Sequence, residues 1–158
     1  MRISVGGVKP SNAPVQSGGD ITLSQGQGNV YLTAALVNSI KAIVSNADHV
    51  SLTLNTLDIL ASGASPASQN ILPANGITFN NVPVKAGAVV TVPAGAPGKT
   101  LPDVKFVAGE AGQTALLSLG GATGNASLRD SDDNEILAID FTCAAPSPAT
   151  GLLPYDIA

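Results

Sequence analysis

The chain has 158 residues, enough for one domain with a real core, and is 44% hydrophobic but only 11% charged, against roughly 25% charged in ordinary globular proteins. Its net charge is −4, and its seven basic residues (Arg2, Lys9, Lys41, Lys85, Lys99, Lys105 and Arg129) are scattered, so no stripe exists to neutralise successive phosphates and nucleic acid is not expected as a partner. Aromatics make up 3% with no Trp, which leaves the core to Val, Leu, Ile and Ala, and no apolar run approaches the roughly 18 residues of a membrane span.

In chain order, Arg2–Val5 is the first strand candidate. Met1–Pro10 lacks the apolar segment of a signal peptide, so export requires a targeting segment removed upstream, whereas a native Met1 places the chain in the cytosol or a virion. Asp20–Ser24 and Asn29–Thr33 flank Gln25-Gly26-Gln27-Gly28, a glycine-containing link of hairpin length. Helical periodicity appears once: Leu36, Val37, Ile40, Ile43 and Val44 fall on one helical face, which predicts a short helix over about residues 33–46 with Thr33 as its N-cap and Asn46 or Asp48 near its end. Val50, Leu52 and Leu54 then alternate with polar residues, and Leu57 and Ile59 continue in the opposite phase. That phase change predicts a bulge at Asn55-Thr56, where one extra residue returns the apolar set to the same face.

Further strand candidates are Gly76–Val82, Ala88–Val92, Val104–Ala108, Thr114–Leu119, Asn125–Arg129 and Glu135–Thr142. In the last of these Leu137, Ile139, Phe141 and Cys143 share one face and Ala138, Asp140 and Thr142 the other, an inside–outside alternation. Asp130–Asn134 supplies turn-forming side chains before it, so the two flanking strands read as a hairpin. Pro146, Pro148 and Pro154 are expected to stop sheet pairing, which makes residues 1–143 the sandwich domain and 144–158 a proline-bearing tail or linker. Nine or ten short strands with one insertion predict an all-β, immunoglobulin-like antiparallel β-sandwich with one short inserted helix.

Chemistry-bearing motifs are sparse. Gly95-Ala96-Pro97-Gly98-Lys99-Thr100 ends like a phosphate-binding loop, but Pro93 stands where the motif needs its first Gly and Pro102 where it needs a helix, so it reads as a turn. Asp130, Asp132 and Asn134 occupy the first, third and fifth places of a calcium loop and are a weak calcium candidate. Glu135 and Phe141 stand where that loop has Gly and a bidentate Glu, and the solvated acidic turn is the competing reading. His49 is the only histidine and reads as a cap or strand-start residue, and no Gly-x-Ser-x-Gly elbow accompanies the Ser and Asp residues. Cys143, the single cysteine, reads as a buried small hydrophobe, with an intermolecular or upstream disulfide as the alternative. Asn125-Ala126-Ser127 matches a glycosylation acceptor. No catalytic residue, cofactor or enzymatic activity is assigned.

Tyr31–Ile40 after a strand, Val50–Ile59 followed by Ala61-Ser62-Gly63-Ala64-Ser65-Pro66, Ile77–Val84, and Phe141-Thr142-Cys143 before a Pro-bearing tail with Gly151-Leu152-Leu153 together carry a resemblance. Over about four fifths of its length the chain resembles secreted β-sandwich domains of unknown function found in actinobacteria. The resemblance implies a fold and an extracellular location, with no reaction, and a second cysteine near the first strand; Met1–Asp20 contains none. The expected function is a non-enzymatic extracellular or cell-surface structural module that contacts other proteins, packing against itself or envelope components, with pairing sites near Ala88–Val92. The alternatives are a phage virion or filament subunit and a carrier of a small apolar ligand.

Overall fold

Alternating apolar residues in runs bounded by Gly, Pro, Asn and Asp build strands with one face to bury, and two such sheets satisfy each other. The computed structural model describes residues 1–8, 13–93 and 99–158 and shows two antiparallel sheets packed face to face with one short helix. The elements are β1 (Arg2–Val8), β2 (Asp20–Leu32), α1 (Ala34–Ile43), β3 (His49–Ser62), β4 (Ala64–Ser65), β5 (Ser68–Asn70), β6 (Ile77–Pro83), β7 (Val90–Val92), β8 (Lys99–Thr100), β9 (Val104–Ala108), β10 (Thr114–Arg129), β11 (Glu135–Cys143) and β12 (Gly151–Asp156).

The first sheet is organised by β2. β1 lies along one side of it, while β7, β8 and β9 follow one another down the other, and β4 adds to β9. The second sheet is organised by the long pair β3 and β10, with β5 and β6 on β3 and with β11 and β12 on β10. The chain passes from the second sheet to the first at Gly63, whose φ is +67° and where an added Cβ would stand 2.7 Å from the Thr114 carbonyl oxygen, which leaves no place for a side chain. Between the sheets lie Ile21, Leu23, Val30, Leu52, Leu57, Ile59, Leu117 and Leu128, all buried, with Phe106 the largest. The core is thus aliphatic, as the composition requires.

The bulge expected at Asn55-Thr56 is present: Thr56 pairs with Thr123 and Leu54 with Gly124, so Asn55 is the extra residue, and both Leu54 and Leu57 stay buried. Thr114–Leu119 and Asn125–Arg129 are one strand, β10, bulged at Gly120-Gly121, where Leu119 pairs with Ile59 and Ala122 with Leu57. Thr33 caps α1 through its hydroxyl, which accepts from the Leu36 N–H at 3.3 Å.

Four expectations are corrected. Gln25–Gly28 is no hairpin but the middle of β2: Gln25 takes φ +51° where the β1 register slips, and Gly26 and Gly28 lie flat against the Leu101 side chain. The helix ends at Ile43 rather than near Asn46, with Val44 leaving the helical path as a buried cap; Ile43, far around the helix from the buried Val37, is 79% exposed. The inner face of β11, an edge strand, is only half covered: Leu137 and Phe141 are half-buried and Ile139 is 44% exposed. The prolines do not stop pairing. β12 includes Pro154 opposite Leu116, since a proline removes one donor without preventing its neighbours from pairing, and Tyr155 and Ile157 are buried.

Candidate functional site

The strongest concentration of charge forms where the β10–β11 turn meets the start of β3. Asp130 opens the turn and closes it on itself: its Oδ1 accepts from the backbone N–H of Asp132 at 3.0 Å and of Asn134 at 2.9 Å, and Asn134 Nδ2 donates to both carboxylate oxygens. Asp133, at φ +65°, directs its carboxylate back toward β3. There His49 Nε2 lies 3.1 Å from Asp133 Oδ1, and His49 Nδ1 lies 3.4 Å from Asp48 Oδ2. Arg129 Nη1 completes the group, donating to the Asp133 carbonyl at 2.8 Å and lying 3.4 Å from its carboxylate.

The electrostatics follow from that geometry. The hydrogen bond to Asp133 raises the His49 pKa above its ordinary 6.5, partial burial opposes the rise, and Asp48 adds to it. Asp133 is lowered by the same bond to His49 and by Arg129 against some desolvation, and Asp130 by its bonds to Asn134. A raised histidine contributes stability fully below 6.5, and loses it as pH rises through the higher folded value. Lowered carboxylates contribute above their ordinary 3.8 and lose it as pH falls through their lower folded values. The clamp is therefore firmest in mildly acidic solution. From about pH 5 to pH 8, the span over which histidines titrate, the melting temperature of the native chain will fall more steeply than that of His49→Gln; equal slopes in a thermal melt series would contradict the clamp.

This cluster joins a turn to a strand. Of the calcium candidates, Asp130 and Asn134 meet each other, and Asp132 contributes its backbone N–H. Among the described residues no group of three or more His, Cys, Asp or Glu is placed to hold a metal ion. Millimolar calcium is accordingly expected to leave the melting temperature unchanged. A clear rise on titration would restore the turn as a calcium site.

The remaining sequence candidates are dispersed. Gly95–Gly98 lies outside the described residues; Lys99 and Thr100 form β8 against Gly28 and Gln27 rather than the head of a helix. Asn125-Ala126-Ser127 runs through β10 with strands on both sides, and Ser127 Oγ donates to Glu135 Oε2 at 2.5 Å. Cys143 is half-buried and free at the end of β11, in a groove of about 210 Å³ shared with Met1, Ile3, Leu119 and Pro146. Sequence reasoning did not single out Asp48, the neighbour of His49 in the chain, nor Asp133 and Arg129, which only the hairpin's return brings to it.

A larger recess, about 530 Å³, opens between β6 and β7. Phe79, Val82, Val90 and Val92 make it apolar, and Lys85 is its one ionisable side chain. Large apolar residues also stand exposed elsewhere: Val89 beside this recess, Val107 on β9, Leu116 on β10 and Ile139 on β11. No helix among the described residues is long and apolar enough to cross a membrane. Comparison of the chain with protein-family models, curated proteins and solved structures returns no match.

Proposed function

We propose that the chain is a non-catalytic structural or interaction module of an extracellular or cell-surface setting, which packs against copies of itself or against neighbouring envelope components. The observation that carries this reading is the surface: apolar side chains such as Val107, Leu116 and Ile139 stand exposed on strands of a chain with only 11% charged residues, so a partner can be covered with little charge to desolvate. The resemblance of Tyr31–Ile40 and Phe141-Thr142-Cys143 to secreted actinobacterial sandwich domains supports the extracellular setting. The two facing antiparallel sheets support extending the proposal to immunoglobulin-like kinship.

Sedimentation velocity over a wide range of concentrations, in low and high salt, tests the reading. Association that grows with concentration and is not weakened by salt is expected, because apolar contacts are not screened. A monomer at every concentration would overturn it. A second reading, carriage of a small apolar ligand, is favoured by the recess between β6 and β7, whose volume lies in the range of ligand pockets. Saturable uptake of a fluorescent apolar probe, abolished by Val90→Asp, would support that reading.

A further inference from the structure

β10 has β3 along one side and, on the other, β11 and β12 placed end to end. Past β12 the end of the chain is bridged by Val15: the Val15 N–H donates to the Asp156 carbonyl at 2.9 Å, and the Ala158 N–H donates to the Val15 carbonyl at 2.8 Å. Among the described residues no strand pairs with the outer edge of β11. β11 is nine residues long and contains no Pro, Gly, Lys or Arg; its one bulge, at Ile136, lies near its start and leaves Leu137–Cys143 in regular register. Its inward row, Leu137, Ile139 and Phe141, is incompletely covered.

We propose that two copies of the chain join by antiparallel pairing of their β11 edges about a two-fold axis at Ile139, which continues the second sheet from one copy into the other. The proposal rests on the self-packing reading above and names its surface. Sheet continuity requires inward residues to oppose inward residues, which leaves few registers. Centring on Asp140 opposes that carboxylate to itself, and like charges directly opposite destabilise a sheet. Centring on Ala138 sets Asp140 against Ile136, the extra residue where β11 slips relative to β10. Centring on Ile139 sets Leu137 against Phe141 of the second copy, Ala138 against Asp140 and Ile139 against itself, so no like charges are opposed. Such an isologous contact is closed after two copies.

Disulfide trapping in the full chain reads the register. In a Cys143→Ser background, Ile139→Cys places two thiols directly opposite, with Cβ atoms about 4.5–5.5 Å apart, within reach of a bond once the backbone adjusts. Ala138→Cys places them on a diagonal at about 7–8 Å, too far to bridge. Mild oxidation is expected to yield a covalent dimer, reversed by reductant, from Ile139→Cys and not from Ala138→Cys. In sedimentation, Ile139→Lys is expected to abolish the dimer while the monomer still unfolds cooperatively, with a melting temperature that no longer rises with concentration, since Ile139 is 44% exposed. Preferential trapping of Ala138→Cys would overturn the Ile139 axis. Association that neither traps Ile139→Cys nor responds to Ile139→Lys would overturn the β11 edge but leave self-packing standing; a monomer throughout would overturn both.

Discussion

Tyr155→Ala will lower the stability of the chain by about 3–5 kcal/mol, the cost of emptying the site of a large buried aromatic side chain. Tyr155 is 3% exposed and lies on β12, the strand that follows Pro146 and Pro148 and contains Pro154, and its hydroxyl donates to the Thr22 carbonyl on β2 at 3.0 Å. One side chain from the end of the chain thereby ties the second sheet to the first. Tyr155→Phe keeps the ring and removes that bond, so about 1 kcal/mol is expected from it. Urea denaturation distinguishes the two variants by their midpoints. A loss below about 1 kcal/mol for Tyr155→Ala would mean that residues 151–158 are a dispensable tail after all.

Gly124→Ala will cost about 3 kcal/mol, the upper end for overpacking a tight site. Gly124 sits in β10 between β3 and β11, directly opposite Phe141, and an added Cβ would stand 2.5 Å from the ring's Cζ and against the Thr53 carbonyl. The absent side chain is what lets the Phe141 ring lie across the strand. Gly124→Ala with Phe141→Leu relieves the ring contact but not the carbonyl contact, so the double variant is expected to recover only part of the loss. Full recovery in urea denaturation would show that the backbone approach of β3 costs nothing. Because the strain pushes on β11, the single variant should also weaken association through that edge.

Period-two burial made much of the fold readable in advance. In β3 the phase change between Leu54 and Leu57 has only one economical explanation, an extra residue, and Asn55 is that residue. Thr33 was readable because a hydroxyl before an apolar helical face has a defined acceptor role at Leu36. The failures share a cause: local signals were read without the neighbours that override them. Gly26 and Gly28 suggested a turn, yet Leu101 lies against them within one continuous strand that is bulged at Gln25. Pro154 suggested an end to pairing, while Leu153, Tyr155 and Ile157 already alternated around it and marked the strand.

The charged cluster was less legible than the fold. His49 was visible as the only histidine, at the start of a strand. Its partners Asp133 and Arg129 lie more than 75 residues away, and only the pairing of β3 with β10 and the turn into β11 brings them within 3.1 Å and one further hydrogen bond. The turn residues Asp130, Asp132 and Asn134 are grouped by spacing alone, and spacing does not say whether carboxylate oxygens turn outward or bond their own backbone. Here Asp130 takes the second course.

Hydrogen–deuterium exchange of the native chain at low and high concentration tests the central claim, that this sandwich presents an edge for contact with its own kind. Amides of Glu135–Cys143 are predicted to become more protected as concentration rises, with those of β3 unchanged, because pairing at the open edge engages only the outward backbone groups of β11. Exchange of that segment independent of concentration, or new protection confined to another surface, would contradict it.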